Sequence, residues 1–244
     1  MHAFEQVARP VIFEHADESF PYWGKGSSIL LANAQHYFWI TAEHVLRNMG
    51  GTVQALRIFP PDDSRISLPF DEQYTITKGS SEDDDYRDIF VLRINIREFD
   101  KFGDAPLVAQ DTEAGLLAAE GLAPGTVLWI IGYPAERNII DYEHGHIKSA
   151  RSVIRGIYQG ASVSDHCHVA RVESSIRLSS YDGLSGSPVF YMHSIMQGGQ
   201  ELLFPRLVGM LLRGTASSEV VHFVSARVIG ELIRLACRGA TGDA

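Results

Sequence analysis

The sequence predicts an all-β protein closed by one C-terminal helix, and two observations carry that prediction. Short segments dense in β-branched and aromatic residues, separated by turn residues, recur along most of the 244 positions. Near the end the period changes. In "SARVIGELIRLACRG" the residues Val228, Ile229, Leu232, Ile233 and Leu235 recur at helical spacing, with Ser225 placed as N-cap and Gly239 as stop. So many short strands point to a barrel or a sandwich rather than to alternating βαβ units.

In chain order the first strands are "SSILLA" (27–32), "HYFWIT" (36–41), "TVQALRIF" (52–59), "QYTIT" (73–77) and "DIFVLRI" (88–94). A second set follows: "TVLWIIGYP" (126–134), "HGHIKSARSVI" (144–154), "HCHVARVE" (166–173), "SPVFYM" (187–192) and "RLVGMLLRG" (206–214). Between the sets, residues 97–125 are rich in Gly, Ala and acids and lack alternation, so they read as a crossover. This divides the chain into lobes of residues 1–112 and 113–244.

The formal net charge of −9 argues against a nucleic-acid partner, since a phosphate-binding surface needs concentrated Lys and Arg. No apolar run approaches the roughly 20 residues that cross a bilayer. The start, "MHAFEQVARPVIF", lacks the basic and apolar regions of a signal peptide, which leads to the expectation of a cytoplasmic protein. Two cysteines, Cys167 and Cys237, are too few for a disulfide scaffold and read as reduced thiols. The His166/His168 and His144/His146 pairs have the spacing of one strand face, but ordinary polar faces explain them and no metal is expected. Tyr181 and Trp129 read as packing residues, and no phosphate-binding glycine loop is present, so no cofactor is expected either.

Three places carry chemistry. In "YDGLSGSPVF", Ser185 sits in a glycine-flanked turn, where a serine is by itself only a small loop residue. A serine becomes a nucleophile when a base takes its proton. "FWITAEHVLRN" supplies one in His44, just after an apolar strand that would hold the ring still. A third group must fix the tautomer of that ring. Asp88, at the head of "DIFVLRI", is the candidate, with Asp85 of the acidic run "SEDDDYRD" next. His44, Asp88 and Ser185 follow one another at separations of 44 and 97 positions.

These blocks resemble those of trypsin-like (chymotrypsin-fold) serine peptidases, and among them the bacterial HtrA-like type. "TAEHV" is similar to the Thr-Ala-x-His block, "RDIFVLRI" to Asp-Ile-Ala-Val-Leu, and "GLSGSPVF" to Gly-x-Ser-Gly-Gly-Pro. "GKGSSILL", "WIIGYP", "GHIKS" and "LVGMLLRG" resemble further strands of the fold, so the likeness covers about residues 24–235. It implies two six-stranded antiparallel barrels with the His-Asp-Ser triad between them. It also implies an oxyanion hole from the backbone N–H groups of Gly183 and Ser185. The same likeness puts Ser179, Leu212 and Gly214 at the primary substrate pocket; with Ser179 at its base, cleavage after small or apolar residues is expected.

The chain departs from the family pattern in places. Leu184 stands where the digestive branch has an Asp that pairs with a newly cut N-terminus, so no such processing is expected. Ser187 replaces the second glycine after the nucleophile, and a PDZ-like segment after the helix is not expected. The expected function is a cytoplasmic serine endopeptidase acting on a protein or peptide, with a regulatory protein partner possible in principle. The alternatives are a catalytically silent peptide-binding module of the same fold, or an esterase on the same site.

Overall fold

Where the sequence alternates or runs apolar, strands form, and twelve of them build two lobes. The computed structural model describes residues 3–14, 17–48, 52–59, 67–76, 85–99, 107–143, 146–173 and 178–239. In the first lobe β1 (Ala8–Pro10), β2 (Ser27–Ala32), β3 (Tyr37–Thr41), β4 (Phe70–Thr75) and β5 (Phe90–Ile94) form a sheet in the order β1-β2-β3-β5-β4. Neighbours in that order run antiparallel. A sixth strand, β6 (Gln110–Asp111), lies beside β2 and is parallel to it. A small sheet of Ile12–Glu14, Tyr22–Trp23 and Leu56–Arg57 adds Phe13 and Leu56 to the same core.

The second lobe is a closed barrel of β7 (Val127–Gly132), β8 (Ser152–Ala161), β9 (Cys167–Val172), β10 (Pro188–Gln197), β11 (Gln200–Thr215) and β12 (Val220–Ser225). Its order is β7-β8-β9-β12-β11-β10. Burial along β8 alternates from residue to residue, as a strand with one inward face requires. In β11 the unbroken apolar run has a different cause. Val208 and Leu211 point into the barrel, whereas Leu207, Met210 and Leu212 join a core shared with the first lobe. A strand buried on both faces has no polar side to alternate with.

The all-β, two-lobe expectation is therefore met, with the C-terminal helix Ala226–Gly239 after β12. The Ser225 hydroxyl accepts the backbone N–H of Arg227 at 3.3 Å, as an N-cap does. Val228, Ile229, Leu232 and Ile233 are buried as their spacing requires, but Leu235 is exposed and Ala236 takes the inward place. "VVHFVS" forms β12, a strand absent from the sequence expectation because its apolar residues run straight into the helical pattern. Conversely, much of "TVQALRIF" is a 3₁₀ turn, Val53–Ala55, before a two-residue strand. In the crossover, Gln110–Asp111 pairs with the first sheet while Leu116 bridges to Leu207 of the barrel. No helix among the described residues is long and apolar enough to cross a membrane.

Candidate active site

His44 rides the short helix Glu43–Asn48 that begins where β3 ends. The first N–H groups of a helix lack intrahelical partners, and Asp88, just ahead of the neighbouring strand β5, supplies them. Its main-chain carbonyl accepts the N–H of Glu43 at 3.3 Å, and its carboxylate Oδ1 accepts that of His44 at 2.8 Å. The second oxygen, Oδ2, contacts the ring Nδ1 of the same histidine. One carboxylate thus fixes both the backbone and the ring, leaving Nε2 as the nitrogen free to act as a base.

Asp85, the other acid considered, faces elsewhere. It pairs with Arg213 of β11 at 2.5 Å and accepts the Ser164 hydroxyl at 3.3 Å. Asp83 and Asp84 lie outside the described residues.

Ser185 and His44 line one cleft of about 340 Å³ with Gly183, Leu212, Arg213 and Gly214. In this structure the Ser185 hydroxyl donates to the carbonyl of Leu212 at 2.9 Å. Ser179 does not reach the cleft lining. It is exposed, with its N–H and hydroxyl both on the Glu136 carboxylate, and those hydrogen bonds hold the Glu136 pKa below its ordinary value. Tyr181 lines the cleft instead, half-buried, and a Cβ added to Gly214 would lie 3.1 Å from its ring.

The turn around Ser185 is held through its carbonyls. Asp182 O accepts from Ala135 N at 2.8 Å, and Leu184 O from Ser187 N at 2.9 Å. In a trans peptide the N–H points opposite the C=O. With those two carbonyls turned inward, the N–H groups of Gly183 and Ser185 face the other way, and neither finds an acceptor among the described residues.

Ser27 on β2 secures the rest. Its hydroxyl donates to Gly183 O at 2.7 Å and accepts from Tyr133 N at 2.9 Å, while its N–H donates to Ser185 O at 2.8 Å. Gly183 and Gly186 take φ of +86° and +89°, the left-handed region that favours glycine. Leu184 is buried in the barrel core and anchors the turn by apolar packing.

Four contributors escaped the sequence reading: Ser27, Ala135, and the two lobe-crossing ion pairs Lys25–Asp182 (2.8 Å) and Asp85–Arg213. Lys25, Asp182 and Arg213 line the cleft, and each pair joins one residue from either lobe.

The two histidines of the later His-rich stretch point to separate partners. His166 lies before β9 with φ +57° and accepts Arg227 Nη2 at 2.8 Å, whereas His168 is buried, its Nδ1 against the Tyr158 hydroxyl. His144 lies outside the described residues. Among those described, no group of three or more His, Cys, Asp or Glu is placed to hold a metal. Cys167 and Cys237 are free thiols, and burial pushes the pKa of Cys167 up to about 12.

No family model and no curated protein matches the chain. Solved structures do. It is similar to human heparin binding protein with a TM-score of 0.58 at 11% identity, covering 95% of this chain and 90% of that one. It is likewise similar to the scabies mite inactivated protease paralogue S-I1, with a TM-score of 0.57 at 14% identity, covering 98% and 97%. The chain thus has the fold of trypsin-like serine proteases.

Proposed function

We propose that the protein is a serine endopeptidase that works through His44, Asp88 and Ser185. The observation that carries this reading is convergence: an acid-held imidazole, a serine and two backbone N–H groups with no acceptor among the described residues share one cleft between the lobes. Leu212 and Gly214, on the same cleft, are the proposed pocket residues.

In the proposed reaction Ser185 turns from Leu212 toward His44 and gives its proton to Nε2 as Oγ bonds to the substrate carbonyl carbon. The displaced electron pair settles on the carbonyl oxygen, which accepts the N–H groups of Gly183 and Ser185. His44, its positive charge balanced by Asp88, passes the proton to the leaving nitrogen. The C–N bond breaks and an acyl-enzyme remains. Water then gives a proton to His44 as its oxygen bonds to the acyl carbon, the bond to Ser185 Oγ breaks, and His44 returns the proton to Oγ, which frees the acid. The scheme needs no cofactor.

A second reading, a peptide-binding module without turnover, draws on the Ser185–Leu212 hydrogen bond and on a structural neighbour named as an inactivated protease. The discriminating experiment exposes a proteome to the protein and to Ser185→Ala and sequences the new N-termini. Cleavage sites made only by the unmodified protein support the peptidase. Identical N-termini from both would reject it.

A further inference from the structure

A second cavity, of about 490 Å³, shares no lining residue with the Ser185 cleft. One wall is a face of the C-terminal helix, where Arg227, Gly230, Ile233, Arg234, Cys237 and Arg238 recur at helical spacing. The facing wall comes from Leu116 and Ala118 of the crossover and from Asn33 in the turn after β2. Both lobes therefore bound it.

Its charge runs against that of the molecule. Three arginines face one carboxylate, Glu113, in a chain with a net charge of −9. Arg227 is committed to Glu120 at 3.1 Å and to His166. Arg234 donates only Nε, to Gly230 O at 3.2 Å, and its terminal nitrogens have no partner among the described residues. The floor is apolar, with Leu116 and Ile233. Gly230 keeps it open: glycine inside a helix lowers helix stability, yet a Cβ here would come within 3.1 Å of Leu116 Cδ1.

We propose that this cavity binds a small organic anion, a phosphate- or carboxylate-bearing molecule whose apolar body sits on Leu116 and Ile233 and whose charged group takes Arg234. A guanidinium offers two parallel N–H donors that match either group. The volume lies within the range of small-molecule sites, and such sites favour boundaries between lobes. An occupant would tie the helix to the β2–β3 turn.

Cys237 provides a readout that is independent of any peptidase activity. It lines the cavity, with Sγ accepting Asn33 Nδ2 at 3.2 Å, whereas the other thiol, Cys167, is 2% exposed. The test is the rate at which iodoacetamide alkylates Cys237, read by mass, with AMP, pyrophosphate, citrate or uncharged adenosine present at millimolar concentration. Protection by AMP and pyrophosphate identifies a phosphate ligand, and protection by citrate a carboxylate, with adenosine inert. Arg234→Ala, a change at an exposed side chain, should weaken that protection about tenfold or more. Glu113→Gln, which removes the opposing carboxylate, should strengthen it. Unchanged alkylation with all three anions, equal protection in Arg234→Ala, or protection by adenosine as strong as by AMP would overturn the proposal.

Discussion

The carboxylate of Asp88 holds His44 at two points, accepting its backbone N–H at 2.8 Å with one oxygen and meeting its ring Nδ1 with the other. The Asp85 carboxylate takes no part in that grip, since it pairs with Arg213, although its main-chain carbonyl accepts the Asp88 N–H at 3.1 Å. Asp88→Asn retains an acceptor for the backbone but turns an amide toward the ring, which selects the wrong tautomer. Its kcat on a peptide substrate should fall by about 10³–10⁴. Asp85→Asn should stay within about tenfold of the unmodified protein, the scale of losing one partly exposed ion pair. The reverse ranking would move the orienting role to Asp85.

Ser27 is expected to matter for rate more than for substrate affinity. Removing an oxyanion donor costs about 10²–10³ in kcat where it has been measured. Ser27→Ala leaves both donors in place but frees the Gly183 carbonyl, so a kcat loss of about tenfold with little change in KM is expected. It also strips Tyr133 N–H of its acceptor inside the core, which should destabilise the fold by about 1–3 kcal/mol. A raised KM with intact kcat would contradict this role.

Gly186→Ala should not fold well. Its Cβ would stand 1.8 Å from the Ser27 carbonyl oxygen, and the φ of +89° is one that alanine rarely adopts. A thermal midpoint within a few degrees of the unmodified protein would show that the turn can be rebuilt.

Acid should destabilise the second lobe. Burial lowers the pKa of His168 and of His222, so the unfolded chain binds protons that the folded chain refuses. Their contribution is complete above the ordinary histidine value and is lost as the pH falls below about 6.5. Glu120 acts in the same direction at lower pH. Burial pushes its pKa up, but the Ser225 hydroxyl, its own N–H and Arg227 outweigh that and hold it below the ordinary value. The thermal midpoint should therefore drop on going from about pH 7.5 to about pH 5, and His168→Gln should flatten the upper part of that fall. Parallel curves for the two proteins would remove His168 as a cause.

The three candidate residues were legible because each sits beside an apolar strand whose local pattern gives its place: "FWIT" before His44, "IFVLRI" after Asp88, and glycines on either side of Ser185. Ser27 was not, since it lies 156 positions from the carbonyl it holds, and a serine within "SSILLA" looks like any strand residue. Ser179 misled because counting back from Ser185 gives a position but no direction, and the loop turns its side chain out to Glu136. Leu235 misled because a single helical period cannot say which edge of an apolar stripe faces the core.

The most direct measurement is covalent labelling by a fluorophosphonate, which reacts with a serine only when a base activates it and an oxyanion site receives the phosphoryl oxygen. The account predicts stoichiometric labelling mapped to Ser185, lost in Ser185→Ala and in His44→Ala while both variants keep the thermal midpoint of the unmodified protein. A folded protein that takes no label, or a label that persists in Ser185→Ala, would contradict it.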